Sequence, residues 1–166
     1  AFANTGLIGD LKIPDKIKII GEKTFYNCDF TGNIELPRGL IEIGPSAFEG
    51  CDFTGELVLP KSLVRVGERA FNGCSFSGWL VLPQNIMSIG DKAFNGFSLD
   101  YYAEGATLEI PIGMTNVDLF TLGNAQVSKI IIHSGVKEIT RTYFSNYLRE
   151  VVCLAKTPPT MYGHSF

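Results

Sequence analysis

"FEGCDFTGELVLP", residues 48–60, decides the fold, because it recurs as "FYNCDFTGNIELP" at 25–37 and as "FNGCSFSGWLVLP" at 71–83. Phe2, Phe25, Phe48, Phe71 and Phe94 fall 23 residues apart, as do Pro14, Pro37, Pro60 and Pro83, and Gly21, Gly44, Gly67 and Gly90. A tandem repeat of roughly 20 to 29 residues rich in apolar positions marks a solenoid, in which no unit can bury its apolar face without a neighbour.

Within one unit the inward positions read as Cys51, Phe53, Leu57, Leu59, Leu63, Val66, Ala70 and Phe71. "GELVLP" places Leu57 and Leu59 inward and Val58 outward, the period of two of a strand, and Pro60 ends the run for want of a donor. Successive strands are expected to pair in parallel, about 4.8 Å apart. "KSLVRVG" suits a short second strand or a tight turn closing on glycine, and "ERAFNGC" is too short for an independent helix, so a helical or 3₁₀ turn is expected there. Its phenylalanine should plug the coil and stack on its equivalents above and below.

The period then breaks. Pro83 and Pro111 are 28 residues apart, and the additional residues lie in "SLDYYAEGATLEIP", a surface loop by expectation. The next coil keeps neither glycine nor Ala-Phe in register, with Leu119, Phe120 and Leu122 as its plug. Register returns in "IIIHSGVKEITRTYFSNYL", where His133 takes the proline position and Ile139 the Val66 position. A last strand with Val151 and Cys153 inward and Val152 outward precedes Pro158-Pro159, which should end the ladder. The whole is read as one domain over 1–166: regular coils 1–97, an inserted loop and irregular coil 98–128, and a regular coil with a cap over 129–166. The opening "AFANTG" has neither an initiator methionine nor a leader pattern and starts in mid-unit. A removed leader or preceding region is therefore expected, with this chain as the C-terminal part of a longer one.

Hydrophobic residues make up 45% and charged residues 19%, ordinary proportions for a folded domain, so disorder is not expected. A net charge of −3 with signs interspersed argues against nucleic-acid partners, and the absence of a long apolar run argues against membrane insertion.

The run "IGEKTFYNC…IELPRGLIEIGPSAFEGC…LVLPKSLVRVGERAFNGC" resembles the BspA-like, or treponemal-type, leucine-rich repeat family, and "VVCLAKTPPT" is similar to the closing segment of members from gut and oral bacteria. The resemblance implies a leucine-rich repeat solenoid: a right-handed α/β superhelix dominated by short parallel strands with short helical or 3₁₀ turns. It also implies a secreted or cell-surface bacterial protein engaged in adhesion.

Cys28, Cys51 and Cys74 share the period and the position of Phe97 and Tyr147, so they read as core thiols; a disulfide between neighbouring coils stays open. Zinc is disfavoured, because no Cys-x-x-Cys occurs and His133 and His164 have no regular spacing to the cysteines. No phosphate loop, nucleophile elbow or paired-carboxylate pattern is present, so the expectation is a non-enzyme with no cofactor and no metal.

Function is expected on the outward strand face. One row holds Lys12, Glu35, Val58, Val81, Glu109 and Ile131; its neighbour holds Asp10, Asn33, Glu56, Trp79, Thr107 and Lys129. The one tryptophan thus stands beside Val81 and Val58 with charge at the ends of the row, a hot-spot composition. Candidate contact residues are Trp79, Val81, Val58, Glu56 and Glu35, with Tyr101 and Tyr102 from the inserted loop. The expected partner is a protein or glycan on host or neighbouring cells, met by a monomeric chain. A structural spacer with no site of its own is the other reading.

Overall fold

The computed structural model describes residues 2–76, 80–96, 107–118, 128–140 and 148–162. Those residues form a solenoid of stacked coils in which every assigned strand pair is parallel. Each coil lays an extended segment on one face, turns at its proline or at His133, and lays a second segment on the next face.

On the first face β1 (Leu11–Lys12) pairs with β3 (Ile34–Glu35), and β7 (Thr107–Ile110), β9 (Lys129–Ile132) and β11 (Glu150–Cys153) form a second sheet in the order 7-9-11. On the other face β2 (Ile19–Ile20), β4 (Glu42–Ile43), β5 (Arg65–Val66) and β6 (Ser88–Ile89) form one sheet. There β8 (Asn116–Asp118), β10 (Glu138–Thr140) and β12 (Thr160–Tyr162) form another. On this second face the sheets change between residues 89 and 116, which bracket the insertion. Register follows the repeat: Lys12 lies beside Glu35, Glu109 beside Ile131, and Val117 beside Ile139. The expected ladder is missing in the middle of the first face. Leu57–Leu59 and Leu80–Leu82 keep the in-out alternation but belong to no assigned strand, so burial of their leucines holds these segments.

The corner between the faces is the same β-turn in coil after coil. Leu40 N donates to Pro37 O, Leu63 N to Pro60 O and Ile86 N to Pro83 O, each at 3.0 Å, and Val136 N to His133 O at 3.2 Å. His133 therefore does the work of the proline: what the corner needs from that position is a carbonyl acceptor.

The segment expected as a helical turn is instead a string of β-turns. Ala47 N donates to Gly44 O, Glu49 N to Ser46 O and Cys51 N to Phe48 O, while intervening amides reach the next coil: Ser46 N to Glu68 O, Phe48 N to Ala70 O and Gly50 N to Asn72 O. A helix would turn every amide along its own axis. Alternation of backbone hand turns every second one sideways: Lys23, Ser46, Arg69 and Lys92 have φ of +51°, +51°, +53° and +54°, and Gly50 and Gly73 have +72° and +77°. The column of Gly44, Gly67 and Gly90 meets a different need, close approach. A Cβ on Gly44 would lie 2.7 Å from Glu22 N, and one on Gly67 would strike the Gly44–Pro45 backbone.

The core is a set of columns. Phe2, Phe25, Phe48, Phe71 and Phe94 stack with centroids 5.2 to 5.6 Å apart. Beside them runs a second column, Phe30, Phe53 and Phe76, spaced 5.5 and 5.6 Å and meeting the first edge to face, for instance Phe48 against Phe53 at 6.2 Å. Both geometries lie in the favourable range for aromatic pairs.

Two expectations at the C-terminal end are corrected. Pro158-Pro159 does not stop the ladder: β12 follows at once and pairs with β10, Met161 beside Ile139. Both prolines precede the strand, where no ladder amide is required. Val151 and Cys153 stand in register with the inward Ile130 and Ile132, as the alternation requires, yet both are exposed, because this coil is covered on one side only among the described residues. The plug residues Leu119, Phe120 and Leu122 and the inserted loop lie outside the described residues.

Candidate functional site

The outward row of the first face is where its reading placed it. Lys12, Glu35, Val58, Val81 and Glu109 are exposed and Ile131 is half-buried, while Ile13, Ile34, Leu57, Leu59, Leu80, Leu82, Leu108 and Ile130 between them are buried. Val58 and Val81 retain 67% and 71% of their accessible surface, among the highest values of any large apolar residue described. They sit on adjacent coils in the stretch without a ladder.

Two grooves meet at Val58. One, of about 730 Å³, is lined by Lys12, Ile13, Glu35, Leu36, Arg38 and Pro60. The other, of about 550 Å³, has Leu57, Val58, Leu80 and Val81 on its floor, with Glu56, Lys61, Gln84, Asn85 and Glu109 around it. Charge on the row is partly neutralised within it: Lys12 Nζ lies 2.7 Å from Glu35 Oε2, and that bond raises the lysine pKa. Glu56 is exposed and has no ion-pair partner among the described residues. The second groove thus combines apolar floor, polar rim and an available carboxylate, a composition suited to protein contact. Trp79, Tyr101 and Tyr102 lie outside the described residues.

The thiol column is chemically quiet. Cys28, Cys51 and Cys74 are buried and free, and their Sγ atoms donate to the carbonyls of Phe2, Phe25 and Phe48 at 2.9, 3.0 and 3.1 Å. Burial pushes the Cys51 thiol from 9.0 up to about 12 and raises Cys74 still further. A thiol so placed is neither nucleophile nor metal ligand at neutral pH. Phe97 and Tyr147, expected at the same position, lie outside the described residues. Among the described residues no group of three or more His, Cys, Asp or Glu is arranged to hold a metal ion, and no helix is long and apolar enough to cross a membrane.

A stacked coil with a buried phenylalanine, a thiol three residues on and a proline corner defines a repeat type, and comparison with known proteins agrees. The model of the BspA type leucine rich repeat region matches residues 1–104 and 82–158, in six copies. The chain belongs to that BspA-type family. A solved leucine-rich repeat protein from Bacteroides ovatus is similar at 29% identity with a TM-score of 0.67, over 86% of this chain and 36% of that one. This chain therefore spans little more than a third of that relative. No curated protein matches.

Within this BspA-type fold one feature of the groove escaped the sequence. His133 Nε2 lies 2.7 Å from Glu109 Oε1, and Gln84 Nε2 lies 3.4 Å from the same oxygen, so three coils converge on one carboxylate at the groove end. His133 and Gln84 occupy repeat positions other than that of Glu109, so these contacts run diagonally between columns and no single column joins them.

Proposed function

We propose that this chain is a non-catalytic binding module of a secreted or cell-surface bacterial protein, which recognises a protein through the outward strand face. The observation that carries the reading is the exposed pair Val58 and Val81, on adjacent coils, at the floor of a groove ringed by Glu56, Lys61, Gln84, Asn85 and Glu109. Covering two such valines and their rim removes apolar surface from water, at roughly 25 cal/mol per Å². A floor held by stacked core columns loses little conformational entropy when it binds. Kinship with a Bacteroides repeat protein supports the bacterial setting, and the family resemblance supports adhesion. Trp79, next to Leu80 in sequence and outward by the repeat register, is proposed as a further contact residue on the sequence alone.

The test is adhesion itself. Beads coated with the chain should attach to cultured epithelial cells or to other bacteria, and beads coated with Trp79→Ser should attach markedly less. Equal attachment by both removes Trp79 from the site, and no attachment by either favours a spacer that holds other domains away from the cell.

A further inference from the structure

The proline corners stack into a ridge beside the first groove. The two central residues of each turn are Asp15 and Lys16, then Arg38 and Gly39, then Lys61 and Ser62, with Asp15, Lys16, Arg38 and Lys61 exposed. Ser62 Oγ donates to Arg38 O at 2.8 Å and Asn85 Nδ2 to Lys61 O at 2.9 Å, which ties successive turns at coil spacing. Lys18 joins them from the first coil. Its ammonium rests against Gly39, in the space that a side chain there would occupy. Lys16, Lys18, Arg38 and Lys61 are all exposed, and none has an ion-pair partner among the described residues. Beside these four cations stand two carboxylates, Asp15 and, around the second groove with Lys61, Glu56, on a chain whose net charge is −3. The other charges of this region, Lys12 and Glu35, satisfy each other.

We infer that this ridge and the groove beside it form a binding surface for an extended segment of a protein partner in which acidic and aliphatic side chains alternate. Coils repeat about every 4.8 Å, and an extended peptide presents side chains to one side about every 7 Å, so acidic groups on one edge can each reach a cation of the ridge. Side chains on the opposite edge enter the groove, whose apolar lining is aliphatic: Ile13, Ile34, Leu36, Val58 and Pro60. Among the described residues no aromatic side chain lines it, and that aliphatic lining favours a peptide over an anionic glycan. The inferred surface adjoins the strand-face site, since Val58 borders both grooves, and it rests on charge where that reading rests on the two valines.

Fluorescence anisotropy with a short labelled peptide alternating Glu and Leu tests it, alongside a Lys-Leu peptide and a sulfated glucan. The acidic peptide should bind, weaken as salt is raised, and lose about tenfold or more in affinity to the Lys16→Gln/Arg38→Gln variant. A Lys156→Gln variant, altered at an exposed lysine in a distant coil, should bind as the parent does. Equal binding by Lys16→Gln/Arg38→Gln, equal binding of the basic peptide, tighter binding of the glucan, or no binding at low salt would each overturn the inference. Because Lys16 and Arg38 lie outside the groove of the two valines, loss of the peptide with retained cell attachment would separate the two surfaces.

Discussion

Cys51 Sγ donates a hydrogen bond to the carbonyl of Phe25, 3.0 Å away and one coil back. The same bond recurs from Cys28 to Phe2 and from Cys74 to Phe48, so the thiol satisfies a carbonyl beside the phenylalanine stack while filling the core as a small apolar group. This dual role suits a buried position that a serine would fill with a more costly hydroxyl and an alanine with no donor at all.

Burial of these thiols links stability to alkaline pH. The folded pKa of Cys51 is raised, so the folded state holds its proton where the unfolded chain releases it. Stability from this group is intact below the unfolded value near 9, falls as pH rises from there, and is lost by about 12. Cys74 adds to the same slope. Urea midpoints measured across this range should fall with pH, and Cys51→Ala should be less stable than the parent at pH 7 while falling less steeply. An unchanged slope in the variant would remove the thiol from the explanation.

Phe48→Ala should cost about 3 to 5 kcal/mol, because its ring is stacked on Phe25 and Phe71, meets Phe53 edge to face, and leaves a cavity that neighbouring coils cannot close. Phe2→Ala should cost far less, since that ring stacks on one side only and is 53% exposed. Equilibrium denaturation of the two variants checks the contrast.

Gly67→Ala should be destabilising by about 1 to 3 kcal/mol, as the new methyl group meets backbone of the previous coil. Gly21→Ala, at the same position of the repeat, should be close to neutral, because the nearest atom to its Cβ is Thr24 Oγ1 at 3.6 Å. Melting temperatures should separate the pair clearly, and equal shifts would show that coil contact is not what excludes a side chain there.

Much of this architecture was readable from columns. Phe48, Leu57, Leu63, Val66 and Cys51 are inward because a fixed period and an alternating strand leave them no other place, and the burial of all five agrees. The outward direction of Val58 and Val81 follows from the same rule. Backbone hand was not readable: Lys23, Ser46, Arg69 and Lys92 adopt positive φ although nothing in their side chains favours it, because inter-coil hydrogen bonds outweigh a local cost of about 1 to 2 kcal/mol. The Pro158-Pro159 pair misled because a missing donor matters inside a ladder and not just before one. Where the charges gather was not readable either. Along the chain the signs alternate, but the fold sorts Lys16, Arg38 and Lys61 onto one ridge and leaves Glu42 to pair with Arg65 at 2.7 Å on another face.

The most direct measurement is the affinity of the chain and of its Val58→Asp/Val81→Asp variant for a panel of purified cell-surface and extracellular-matrix proteins, with melting temperature recorded for both. Both valines are exposed, so the variant should melt within a few degrees of the parent. At least one protein should bind the parent and lose more than about 2 kcal/mol of affinity for the variant. Partners held equally by both would contradict the assignment of function to this face.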